Sequence, residues 1–141
     1  MAVLQQFSVS VTLMWCIFLA AVLVYAPFIL VVYGRIQVGV EALVAPRAVF
    51  DKLPAYAQRA TWAHQNSFES FTLFAAAALM AYVTQVDSPW AVVVAIAYLP
   101  ARFLYSVFYI FQVTPLRSLM FAIGSLSIGT LIVLSLLQAG F

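Results

Sequence analysis

Two groups of polar residues stand out against an apolar chain. Arg59, His64, Asn66 and Glu69 head one long hydrophobic run, while Arg102, Tyr105 and Tyr109 close another and Arg117 and Ser118 open the next. Asn66 and Glu69 are i, i+3 neighbours, and Arg102, Tyr105 and Tyr109 fall at i, i+3 and i+7, so each set shares a helix face. A carboxylate, an amide, two guanidiniums and two phenols match a polar ligand that carries both carboxylate and amine groups. Arginine pairs carboxylates in bidentate fashion, and Glu69 can receive an ammonium. Ionisable groups beside or inside membrane spans are costly, and by default they are read as functional and in need of partners.

The elements that must position these groups are membrane helices. Of 141 residues, 67% are hydrophobic and 7% charged, whereas a soluble domain carries about 25% charged residues. The sequence predicts an all-α membrane protein, a four-helix bundle forming one domain over residues 1–141, with spans at 11–33, 64–86, 90–111 and 117–138. No period-two polar alternation runs through these segments, which favours helices over barrel strands. Gly34-Arg35, Asp87-Ser88-Pro89 and the stretch from Gln112 to Pro115 read as turn or interface signals. Asp51 and Pro54 resemble a helix start, which places the second long helix from near Ala55, with Arg59 at the interface and Glu69 a turn or two below.

All six basic residues lie between the first and second spans or near the junction of the third and fourth. The positive-inside rule makes these regions cytoplasmic and puts both termini on the other side. No basic residue precedes the first span, and that span is too long for a signal-peptide core. Cys16 is the only cysteine and reads as a buried small apolar side chain, so neither a disulfide nor a cysteine metal site is expected. A net charge of +2 gives no reason to expect a nucleic-acid partner. The alanines at 75–78 with Ala81, and the spaced Ala122, Ser125 and Gly129, predict close helix approach, within one chain or between chains.

Blander readings compete for the same residues. Glu69 and Arg102 can be a structural ion pair that fixes helix register. Tyr105 and Tyr109 can belong to an interfacial aromatic belt. A lone interfacial histidine such as His64 is more often structural than catalytic, and it is left outside the candidate site.

Arg59, then Asn66-Ser67-Phe68-Glu69, Arg102 through Tyr105 to Tyr109, and Arg117-Ser118, resemble the MAPEG family in order and placement over nearly the whole chain. These are membrane-associated proteins in eicosanoid and glutathione metabolism. The resemblance implies a homotrimer of twelve helices, with sites between neighbouring subunits near the cytoplasmic face. It implies that Asn66, Glu69, Arg102, Tyr105 and Tyr109, with Arg59 in support, bind glutathione. Arg117 would stabilise the thiolate, and Ser118 is a further sulfur contact. The expected activity is that of a glutathione-dependent transferase or peroxidase acting on lipophilic electrophiles or lipid hydroperoxides from the membrane. The alternative is a non-catalytic binding or structural protein of the same fold. A third reading, a small transporter, lacks the broken helices and duplicated halves of that class. A bacterial inner membrane fits the short chain.

The chain departs from the family pattern at several points. Trp62 stands four residues before Asn66, where an arginine is usual, and Gln65 stands where one subgroup has another. Ser70 follows the glutamate in place of a tyrosine or threonine, and Phe121 replaces an aromatic hydroxyl.

Overall fold

A computed structural model of the chain describes residues 8–140. The segment before it, expected on the non-cytoplasmic side, lies outside the described residues. The elements are α1 (Val9–Val24), α2 (Ala26–Val38), α3 (Val40–Val44), a 3-10 turn (Phe50–Lys52), α4 (Ala55–Val83), α5 (Pro89–Ile110) and α6 (Thr114–Gln138). All regular structure among the described residues is helical.

Three segments are long and apolar enough to cross a membrane: Val9–Val38, Pro89–Ile110 and Thr114–Gln138. The protein is an integral membrane protein. The 29 residues of α4 would reach about 43 Å. Its first half carries Arg59, His64, Gln65, Asn66 and Glu69, so it does not meet the same standard of apolarity.

The first rod is continuous in direction but not in hydrogen bonding. At Tyr25 the α1 ladder stops, and the Tyr25 N–H donates to the Val22 carbonyl at 3.1 Å. Pro27 has no N–H to offer the preceding turn, which is the usual cause of such a break. His64 Nδ1 lies 2.8 Å from the Val24 carbonyl in this gap, and the imidazole packs on Phe28 and Tyr25. That position is structural.

Of the two readings of Gly34-Arg35, turn or interface signal, the turn fails, for α2 runs on to Val38. Gly34 is the point of closest approach to α4, where an added Cβ would collide with the Cβ of Ala57. Asp51 belongs to the 3-10 turn and does not cap α4, whose first residue follows Pro54. Instead, Gln58 Nε2 donates to the Leu53 carbonyl at 2.9 Å.

Both inter-helix turns after α4 and α5 are Schellman caps with an uncommon occupant. Gln85 and Gln112 sit at φ 56° and 62°, the left-handed region usually given to glycine. The Val86 N–H reaches the Ala81 carbonyl at 3.0 Å, and the Val113 N–H reaches that of Phe108 at 2.9 Å.

Cross-helix pairs fix the directions. Ser70 meets Tyr98 while Ser67 meets Ser106, so α4 and α5 are antiparallel. Tyr105 packs on Phe121 and Tyr109 under Arg117, so α5 and α6 are antiparallel too. The start of α1 and the end of α6 therefore lie at the same end of the bundle as the α4–α5 turn. That end holds the apolar core, with Leu13, Cys16, Ala77, Ala81, Ala91 and Leu131 buried together. Phe74 and Tyr98 close it with a parallel stack at 3.8 Å. The two polar clusters gather at the opposite end.

Candidate functional site

Arg102 is the centre of the polar end and is 4% exposed. Its stem crosses Gly124 of α6, where an added Cβ would stand 3.4 Å from the arginine Cδ. Its guanidinium Nη2 donates to Asn66 Oδ1 at 2.9 Å and to the Asn66 carbonyl at 3.1 Å. The guanidinium carbon also lies 4.4 Å from the centre of the Tyr105 ring. Three helices thus meet on one side chain. Charge-assisted bonds of this kind are the stronger ones, and a buried cation without them would be costly. The Arg102 Nε–H has no protein partner and is buried beside a cavity of about 10 Å³ lined by Ser67, Tyr98 and residues of α1.

The Glu69–Arg102 ion pair of the structural alternative is not formed. Among the described residues the ion pair is Lys52 with Glu41, at 2.7 Å. Arg102 lies level with Asn66, and Glu69 stands three residues on, about 4.5 Å further along the helix and turned outward. Glu69 is exposed, and its side-chain partner is Gln65 Nε2 at 3.4 Å.

Two cavities adjoin Tyr105 and Tyr109. The first, about 400 Å³, is lined by Trp62, Gln65, Asn66, Glu69 and the two tyrosines. The second, about 290 Å³, is lined by the same tyrosines with Arg117, Ser118 and Phe121. The phenol rings, 5.7 Å apart, form a wall common to both. On the far side Arg117 lies over the Tyr109 ring at 5.0 Å. The sequence from Arg102 through Tyr105 and Tyr109 to Arg117 is therefore a continuous stack of cation, ring, ring and cation, which holds the two arginines at opposite ends.

Arg59 stands apart from both cavities. Its Nε donates to the Ile110 carbonyl at 2.7 Å, satisfying one of the last carbonyls of α5. Asn66, Glu69, Arg102, Tyr105, Tyr109, Arg117 and Ser118 are brought to one end of the bundle. Sequence reasoning did not single out Gly124, which makes room for the Arg102 stem, or the Ser67–Ser106 contact at 3.2 Å beneath it. Their only signal was small size at helical spacing.

The fold and site define an all-helical membrane protein with an apolar core at one end and an arginine–tyrosine stack at the other. The MAPEG family model matches residues 12–137, and the chain belongs to that family. Comparison with curated proteins and with solved structures gives no match.

Proposed function

We propose that the protein is a thiol-dependent transferase or peroxidase acting on lipophilic electrophiles or lipid hydroperoxides, with Arg117 as the cation that favours the thiolate. The observation that carries this reading is the shared tyrosine wall. A small thiol lying over Tyr105 and Tyr109 meets Glu69, Gln65 and Asn66 on one side and Arg117 with Ser118 on the other. Glutathione is the thiol that family membership suggests. The residues fit its ammonium, at Glu69, and its peptide groups, at the amides and phenols. Within one protomer the larger cavity offers its carboxylates no cation.

A free thiol has a pKa of about 8.5, and an adjacent guanidinium lowers it, raising the reactive fraction at neutral pH. When bound, the thiol would supply the nucleophile: its sulfur bonds to an electrophilic carbon while that carbon's leaving group or π bond takes the electron pair and the released proton, or two thiols become a disulfide while a hydroperoxide is reduced to alcohol and water. Arg117 holds positive charge beside the sulfur, and Tyr109 holds Arg117. Ser118 offers a hydroxyl to the same cavity, and Phe121 gives it an apolar lip toward the membrane.

In this reading α4 is the fourth span and the polar end faces the cytoplasm. The chain assembles as a homotrimer through faces that it leaves uncovered. Ala122, Ser125 and Gly129 are exposed on α6, and a Cβ added at Gly129 meets nothing within 4 Å. Small residues of this kind permit close approach of a second helix in a membrane.

The test is ultraviolet difference spectroscopy on the detergent-purified protein titrated with glutathione at neutral pH. A saturable thiolate absorbance that vanishes in Arg117→Ala, while gel filtration shows an unchanged assembly, supports the enzyme. Absence of the signal with glutathione and with simple aminothiols favours the non-catalytic alternative.

A further inference from the structure

We infer that Arg102 holds one resident water between α1, α4 and α5, and that this water closes a ring of hydrogen bonds beginning and ending on Arg102. Every group involved belongs to one protomer and lies inside its bundle. The starting observation is the Arg102 Nε–H, buried without a protein partner on a side chain 4% exposed. Asn66 is taken up by Nη2 and does not serve Nε. A buried donor on a charged group is costly to leave unmade.

The space beside it has the size of a water. The cavity of about 10 Å³, roughly one water-sized sphere, is lined by Leu23, Val24, Ser67 and Tyr98 together with Arg102. A buried water needs roughly two to four polar partners, and this lining supplies three. The Arg102 Nε–H donates. Leu23 stands four residues before Pro27, which has no N–H, so the Leu23 carbonyl lacks its helical donor. The neighbouring Val24 carbonyl already accepts from His64 Nδ1 at 2.8 Å. Carbonyls freed at a proline in a membrane helix are among the groups that ordered water serves.

The third partner is Ser67, and the hydroxyl directions decide its role. Ser106 Oγ donates to the Arg102 carbonyl at 3.3 Å, so Ser67 is the donor in its 3.2 Å contact with Ser106. Ser67 Oγ therefore keeps a lone pair for a water proton. The bonds then run one way, from Arg102 Nε–H to water, to Ser67, to Ser106 and back to the Arg102 carbonyl. The second water proton goes to Leu23. Donors and acceptors linked in such a chain polarise one another. The ring fixes the guanidinium that packs on Tyr105, and so ties the α1 break to the foot of the arginine–tyrosine stack.

The test is NMR on the detergent-purified full chain, with isotopically labelled arginine and perdeuterated detergent. Loss of one Nε–H resonance in Arg102→Lys assigns the signal. A cross-peak between this proton and water is expected, with the sign of a dipolar contact and not of proton exchange. Ser106→Ala opens the ring but leaves the water its three partners, so the cross-peak should persist. Ser67→Ala should abolish it. Where Ser67→Ala loses the native assembly by gel filtration, Ser67→Cys takes its place, since a thiol is a weak acceptor of similar size. An Arg102 Nε–H that shows cross-peaks to protein protons alone overturns the inference. A water cross-peak indifferent to the Ser67 substitution overturns it as well.

Discussion

Arg102 holds Asn66 twice with one nitrogen, at the side-chain oxygen 2.9 Å away and at the backbone carbonyl 3.1 Å away. The pair ties α5 to α4 at the depth where the bundle turns from apolar to polar. A neutral amide and a carbonyl, rather than a carboxylate, pair with one terminal nitrogen of the buried guanidinium. Glu69 is thereby left for other work.

Asn66→Ala is expected to destabilise the protein by about 1.5–3 kcal/mol, the range for a hydrogen bond to a charged group. Asn66→Asp retains an acceptor and should lose less. Denaturant unfolding in a fixed detergent measures both, and equal losses would show that the bond does not carry the effect.

Arg59→Met should separate stability from binding. The bond to Ile110 is lost, at a cost of about 1.5–3 kcal/mol, whereas the cavities keep all their lining residues. The expected result is a lower unfolding midpoint with an unchanged thiol titration. A lost titration in a folded protein would return Arg59 to the binding set.

Gly34→Ala is expected to cost about 1–3 kcal/mol, because the new methyl meets Ala57 in a packed contact. The double variant Gly34→Ala, Ala57→Gly should recover most of the loss. Failure of that rescue would place the strain elsewhere than between these two side chains.

At Gln112, φ is 62° and glycine carries no steric penalty. Gln112→Gly should therefore stabilise the α5–α6 turn by roughly 1 kcal/mol, as should Gln85→Gly for the turn before α5. Unfolding midpoints for the two single variants and their combination test this, with additivity expected because the turns lie at opposite ends of the bundle.

Periodicity and charge placement made most of this architecture legible. The start of the long polar helix near Ala55 and the last two helices stand within a few residues of their predicted positions. The misreadings have a common origin in residues whose signal has two physical meanings. Glycine marks a turn or a close approach, and at Gly34 it is the approach. Aspartate caps helices but also closes 3-10 turns, as Asp51 does. Helical spacing put Glu69 and Arg102 on facing surfaces, but it did not say at which level the arginine would settle. The split of the polar cluster into two cavities depends on how far the Tyr105 and Tyr109 rings extend, which spacing does not specify.

Because Tyr105 and Tyr109 line both cavities, recognition and reactivity would share their hardware under the proposed function. Replacing either ring reshapes the recess at Glu69 and, in the same stroke, the seat of Arg117. On that proposal, a change at either ring in what the chain holds would also change how it acts. New specificity would then enter from the outer rims, at Trp62 and Gln65 on one side or Phe121 on the other, where each cavity has residues of its own.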